Sequence, residues 1–299
     1  MSTVYAYPRL SNGDFLLYRV GGNGLGNLLF TWARCLADCH RYRWRMIWPI
    51  WPSCKPKNLW KNPYDLRGYN NLFSGIDDGL HGVQRLVALL LMKRIKEGDP
   101  VPSGGRCVVE YRGMKRFFSP FLDSQQLIAS RLWTMTRRQH RPVRLFNDRK
   151  YVAVHIRCGD FRIPREGQIS DRNNTRLPIA WYVEAIRQVR RQLAYDIPVV
   201  VFSDGRESEI RDVLQMPHVT RKNQGSAIYD IWALSQADLI IASGSTFSMW
   251  GVFLGQMPSL WAPGKGLNQM HVGGMQWQVQ WSHGMQIPQF VLEGLTHGS

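Results

Sequence analysis

Long hydrophobic runs are scarce in this sequence. The longest clean one, LVALLLM at 86–92, falls far short of the roughly 20 residues that cross a bilayer, so no spanning helix is expected. The first residues, MSTVYAYPRL, lack a basic stretch followed by an apolar one, and no signal peptide is read there. Cysteine is thin too. Cys35, Cys39, Cys54, Cys107 and Cys158 form an odd set without a CxxC pair, which argues against a zinc cluster or disulfide framework and fits a reducing cytoplasm. Cys35 and Cys39 stand one helical turn apart and read as small core residues. No Walker Gly-Lys-Ser/Thr appears, no three glycines satisfy GxGxxG, and no DxD triplet is present to hold a nucleotide-bound metal. Low-complexity tracts are absent as well, leaving a folded globular protein.

Positive charge and tryptophan are plentiful. The net charge of +16 over 299 residues favours an anionic partner: nucleic acid, an anionic membrane surface or a phosphate-bearing substrate. Twelve tryptophans offer faces for bases or sugars. The plainer reading leaves most of the 38 Lys and Arg simply solvated.

The chain divides into two stretches. Up to about residue 145 it is irregular and rich in Trp, Pro and basic residues, with a helix predicted over 83–95. A loop, VGGNGLGN, feeds an amphipathic helix; its glycines permit close backbone approach to a ligand. From residue 151 onward apolar strands alternate with helical patterns. YVAVHIR, PVVVFSD and ADLIIASGS read as strands covered on both faces, and PIAWYVEAIRQVRRQL, SEIRDVL and SAIYDIWALSQ read as helices. Such alternation predicts a parallel α/β sheet with right-handed crossovers.

The chemistry-bearing residues cluster at the carboxyl ends of those strands, where open α/β sheets bind ligands. Arg157 presents a planar fork matched to phosphate, although a structural pair with Asp160 is the plainer reading. His155, two residues earlier on the same strand face, suits a phosphate donor or a support for Arg157, or equally a satisfied core histidine. Ser243, Ser245, Thr246 and Ser248 surround a glycine at a helix start, an anion cradle or an ordinary N-cap. Asp204 in FSDG suits a ribose hydroxyl, a base amine or a turn.

In order, GNGLGNLLF, HIRCGD, FSDG and ASGSTFSMWG resemble the GGLGNQLF-, HxRRGD-, FSDD- and NSSFSWWG-like motifs of the α1,2-fucosyltransferases, glycosyltransferase family 11. They also resemble, more distantly, the α1,6- and protein O-fucosyltransferases. The resemblance implies an α/β fold of GT-B type, two Rossmann-like domains facing a cleft. Residues 1–145 would form the acceptor-side domain and 146–299 the nucleotide-sugar-binding domain. It implies inverting, metal-independent transfer of L-fucose from GDP-fucose to a glycan hydroxyl, α1,2 to galactose, in surface-glycan biosynthesis. Carried over by position, Arg157 binds the β-phosphate and His155 supports it. Asp204 meets the nucleoside, and Ser245, Thr246 and Phe247 line phosphates and base. Gly24, Gly26 and Asn27 close the site from the N-terminal half. Asp160 is the candidate for the base that takes the acceptor's proton. No cofactor or metal is expected. Cys158, Gly205 and SGSTFSMW depart from the family pattern and bear on the identity of the donor. Two alternatives stand beside this one: a basic nucleic-acid-binding α/β protein, and a related enzyme using another sugar nucleotide. The expected location is cytoplasmic, with the basic surface available for peripheral contact with an anionic membrane.

Overall fold

The computed structural model describes residues 4–296, apart from 15–17, 55–68, 70, 76–78, 103, 105, 144, 147–148, 160, 164–174 and 223–224. The chain forms two compact units, Met1–Arg141 and Pro142–Ser299. Their division falls a few residues before the 145/146 boundary expected from the basic segment.

The first unit contains β1 (Val4–Arg9), β2 (Gly13–Asp14), β3 (Arg19–Val20), α1 (Leu25–Tyr42), β4 (Arg45–Met46), β5 (Ser53–Cys54), α2 (Gly82–Leu91), β6 (Lys93–Lys96), β7 (Cys107–Arg112) and α3 (Gln125–Met135). Its main sheet runs β4-β1-β7-β6, parallel throughout, and β2, β3 and β5 form a small second sheet. Alternation along the strands assigns the faces. Val4, Ala6, Cys107, Val109 and Tyr111 pack with Cys35 and Cys39 of α1. Tyr7 and Val108 pack with Ala88 and Leu89 of α2. An irregular N-terminal half was expected from its sequence; it is instead a layered α/β unit in which β2 to β5 are two residues each, while the six-residue β1 and β7 carry polar residues (VYAYPR, CVVEYR) that break the apolar run. The helix predicted over 83–95 also ends early, at Leu91. Arg94 folds back to donate from Nε and Nη2 to the Leu89 carbonyl, at 3.2 and 2.6 Å, and Lys93–Lys96 pairs along β7. Edge pairing and a capped helix end outcompete the continuing helical pattern.

The second unit contains β8 (Val152–Ile156), α4 (Ile179–Leu193), β9 (Val199–Ser203), α5 (Arg211–Leu214), β10 (Val219–Lys222), α6 (Ala227–Leu234), β11 (Leu239–Ala242), α7 (Thr246–Gly255), β12 (Ser259–Trp261), β13 (Gln278–Gln280) and α8 (Gln289–Leu292). Its sheet order is β10-β9-β8-β11-β12-β13, parallel throughout. Renumbered from β8, that is 3-2-1-4-5-6, the doubly wound Rossmann order. The chain winds outward from β8 on one side and returns to begin again at β11. Neighbouring crossovers diverge between these two strands, and a crevice opens at their carboxyl ends. Val152, Val154 and Ile156 face a core with Trp181, Tyr182 and Ile186 of α4, which leaves Ala153 and His155 for the opposite face. Two successive parallel-sheet units give the α/β, GT-B-like class that the sequence implies.

Candidate nucleotide-sugar site

The switch point between β8 and β11 gathers most of the residues singled out above. His155 lies at the end of β8, buried, and its Nδ1 is ringed by three hydroxyls: Ser248 Oγ at 2.7 Å, Ser243 Oγ at 3.1 Å and Ser245 Oγ at 3.2 Å. The Phe247 ring stacks on the imidazole at 6.0 Å between centroids. Burial is the main reason that the His155 pKa falls to about 4; Asp204 opposes the shift and Arg157 adds to it. The ring is therefore neutral near pH 7 and can accept a hydroxyl proton.

This ring of hydroxyls has a consequence for α7. Ser245 is its N-cap residue, yet its side chain makes no capping hydrogen bond to the helix. The contrast with α6 is direct, because there Ser226 at N-cap accepts from the Tyr229 amide at 3.3 Å. With the Ser245 hydroxyl drawn toward His155, the first-turn amides of α7 lack a side-chain acceptor and carry the positive end of the helix dipole. Gly244, at φ 78°, makes the turn. A Cβ there would come within 3.0 Å of the Lys265 stem, and Lys265 is a buried cation. Thr246 opens the helix.

Arg157 follows β8 and remains partly exposed at the rim. Its Nη1 meets Asp204 Oδ2 at 2.5 Å, and its guanidinium lies 5.7 Å from the centre of the Phe161 ring. Asp204 Oδ1 accepts from the Cys158 amide at 2.7 Å, so one carboxylate fixes both the cation and the turn that carries it. Gly159 is required beside it, since any Cβ would collide with Asp204 Oδ2. The expected partner of Arg157 was Asp160, which lies outside the described residues; the pair seen is with Asp204. The Asp204 carboxylate, assigned by resemblance to the nucleoside, is thus engaged on both oxygens within its own unit. Two of the three departures from the family motifs also meet here. A Cβ on Gly205 would sit 2.7 Å from the Cys158 sulfur, so the missing side chain at 205 makes room for the thiol at 158.

Gly24, Gly26 and Asn27 belong to the first unit, where they gather at the start of α1. Gly24 is the N-cap residue without a side-chain cap, Gly26 is buried, and the Asn27 amide donates to the Gly24 carbonyl at 3.0 Å. Sequence reasoning missed what holds this loop. Arg19 is fully buried and donates to the carbonyls of Ile50 (3.1 Å), Gly21 (2.7 Å) and Trp51 (2.8 Å), while Ser53 Oγ also donates to Gly21. Gly21 and Gly22 have φ of 70° and 100°, and a Cβ on Gly22 would strike the Arg19 guanidinium. The glycines are therefore used for a left-handed turn and for close approach to this arginine.

Asp230 was missed as well. It lies within the first turns of α6, which leaves the carboxyl end of β10 and packs against α7. Its Oδ1 is sealed from solvent without a hydrogen-bond partner, and burial pushes its pKa up to about 7. A lone acid within the apolar run AIYDIWAL was the available signal. Among the described residues no three His, Cys, Asp or Glu side chains gather as a metal site would need.

Comparison with known proteins bears on this constellation. A search of curated proteins finds no match. Among solved structures, fucosyltransferase NodZ from Bradyrhizobium matches with 12% identity over 86% of this chain and 95% of that one, at a TM-score of 0.51, a likeness of fold. POFUT1 in complex with GDP is 12% identical over 86% and 97% of the two chains, at a TM-score of 0.41. The glycosyl transferase family 11 model matches residues 115–260. That segment contains His155, Arg157, Asp204 and the whole serine turn, so the likeness to this family falls on the residues of the candidate site.

Proposed function

We propose that the protein transfers L-fucose from GDP-fucose to a glycan hydroxyl with inversion, O2 of galactose being the acceptor position, in the building of a surface glycan. One observation carries this reading: a neutral, serine-ringed histidine and a carboxylate-anchored arginine share the β8/β11 switch point with an uncapped helix N-terminus. In the reaction the acceptor oxygen attacks C1 of the sugar as the bond from C1 to the β-phosphate oxygen breaks. The bonding electron pair leaves with GDP, and the acceptor proton passes to a base, a role for which Asp160 is nominated. GDP is already a competent leaving group, so the chief demand is charge stabilisation, which Arg157 and the first-turn amides of α7 would supply. That division of labour assigns no step to a metal.

Asp230 extends the reading to the base. A guanine edge presents adjacent N1–H and N2–H donors, and binding there would have to open the site enough to bring them to the Oδ1 that the protein alone leaves sealed and unpartnered. Gly24, Gly26 and Asn27 would close on the sugar nucleotide from the first unit. The test is consumption: purified protein is incubated with a panel of sugar nucleotides and an acceptor glycan. Turnover of GDP-fucose alone is expected; turnover of another donor instead would overturn the assignment. That second outcome defines the competing reading, an enzyme of the same family using a different sugar nucleotide, and the Cys158–Gly205 contact is what favours it.

A further inference from the structure

Among the described residues, nothing covers one apolar face of helix α2. Val83, Val87, Leu90 and Leu91 are 75, 45, 63 and 80% exposed, and their spacing of four, three and one places them on one side of the helix. The opposite side, with Ala88 and Leu89, is the one docked on the sheet. Isolated exposed leucines are ordinary, but four on one face of a ten-residue helix form a patch. Directly after it, the edge strand β6 exposes Lys93, Arg94 and Lys96. Of the acids nearby, Glu97 is paired with Arg34 and Lys115 and Glu110 with Arg9, Arg94 and Arg112, while the exposed Asp99 accepts from the Lys96 amide at 2.9 Å. The unit as a whole has 22 Lys and Arg against 9 Asp and Glu.

We propose that α2 and β6 dock the protein on an anionic lipid bilayer, with the α2 face lying in the headgroup region and the β6 cations on the lipid phosphates. Each feature alone fits other occupants. Charge alone would suit a nucleic acid, but a polynucleotide offers nothing to four bare aliphatic side chains. An apolar face alone would suit a second copy of the chain, but that pairing brings two strongly positive units together. A bilayer interface satisfies both features at once. At about 15 Å, the helix is too short to cross a membrane and long enough to lie along its surface. This inference stands independently of the transfer reaction.

Flotation with phosphatidylglycerol/phosphatidylcholine vesicles, against phosphatidylcholine alone, tests it without nucleotide present. The wild type is expected to float with anionic vesicles, at least about tenfold less with neutral ones, and less as salt rises. Val87→Gln/Leu90→Gln/Leu91→Gln and, separately, Lys93→Gln/Lys96→Gln are each expected to lose about tenfold in binding. Both should keep the wild-type melting temperature and its rise with GDP. If the triple variant does not melt cooperatively, Leu91→Gln alone serves in its place. Three results would overturn the proposal: no flotation of the wild type, flotation undiminished in the apolar variants, or a wild-type dimer that those variants dissolve. Loss of the GDP effect with vesicle binding intact would instead count against the nucleotide site only.

Discussion

The two units share an architecture and differ in where their charge lies. Residues 1–141 hold 22 Lys and Arg against 9 Asp and Glu, whereas residues 142–299 hold 16 against 13. The family motifs richest in chemistry sit in the second, nearly balanced unit. A net charge of +16 points toward an anionic partner, but it does not mark the candidate site. What distinguishes the second unit is placement: one arginine fixed by one carboxylate, and hydroxyls drawn off a helix cap by a buried imidazole. The first unit's excess includes buried arginines, Arg19, Arg34 and Arg85, as well as the exposed cations of β6.

The sharpest way to test that contrast is to remove one cation from each side. On the proposed reading, in which the planar fork and its charge act on the leaving diphosphate, Arg157→Ala and also Arg157→Lys should lower turnover by about 10²–10³. Neutralising Lys93 and Lys96 should leave turnover on a soluble acceptor unchanged. Steady-state kinetics read both, and near-normal turnover in the Arg157 variants would remove that residue from the mechanism.

Next in size is a pH effect. The His155 folded pKa of about 4 lies below the usual 6.5, so the unfolded chain binds the proton more readily. The neutral ring's contribution is complete above about pH 6.5 and is lost as pH falls toward 4, a change of about 3 kcal/mol. Asp230 works in the opposite sense, since its raised pKa favours the folded state at low pH and that advantage fades as pH rises toward 7. Urea unfolding between pH 4 and 7 should therefore show a steeper loss of stability on acidification in Asp230→Asn than in the wild type. A flatter profile in that variant would argue against the assignment of these pKa values.

A smaller effect concerns the base. If the Asp230 carboxylate accepts from guanine, GDP should bind more tightly as pH rises through about 7, and Asp230→Asn should lose about tenfold in affinity together with the pH dependence. Calorimetric titration measures both. Of similar size, but on stability alone, is Arg19→Lys, which keeps the charge and gives up the fork that serves three carbonyls; urea unfolding should show a loss of about 1–3 kcal/mol, and an unchanged midpoint would argue against that role.

The second unit was legible because strands covered on both faces must be apolar at nearly every position, as in VAVHI and LIIA. Its edge strands, VTRK and QVQ, were not, since an edge strand keeps polar residues. The same reason hides β6, whose KRIK continues the α2 pattern and invites an overlong helix. At the site, the strand-end residues announced themselves by type. Arg19 and Asp230 did not, because their meaning lies in burial: one satisfies backbone carbonyls some thirty residues away, and the other is sealed without an acceptor's usual donors. His155 answered to the plainer of its readings, a satisfied core histidine, and its satisfaction organises the serine turn.

The contact between Cys158 and Gly205 constrains how such a site is able to change over generations. A side chain at 205 has no space while the thiol holds its place, so an acid there calls for a change at 158 as well. Two departures that look like separate blemishes in the motifs share one small volume, and a substitution at either is best made together with one at the other.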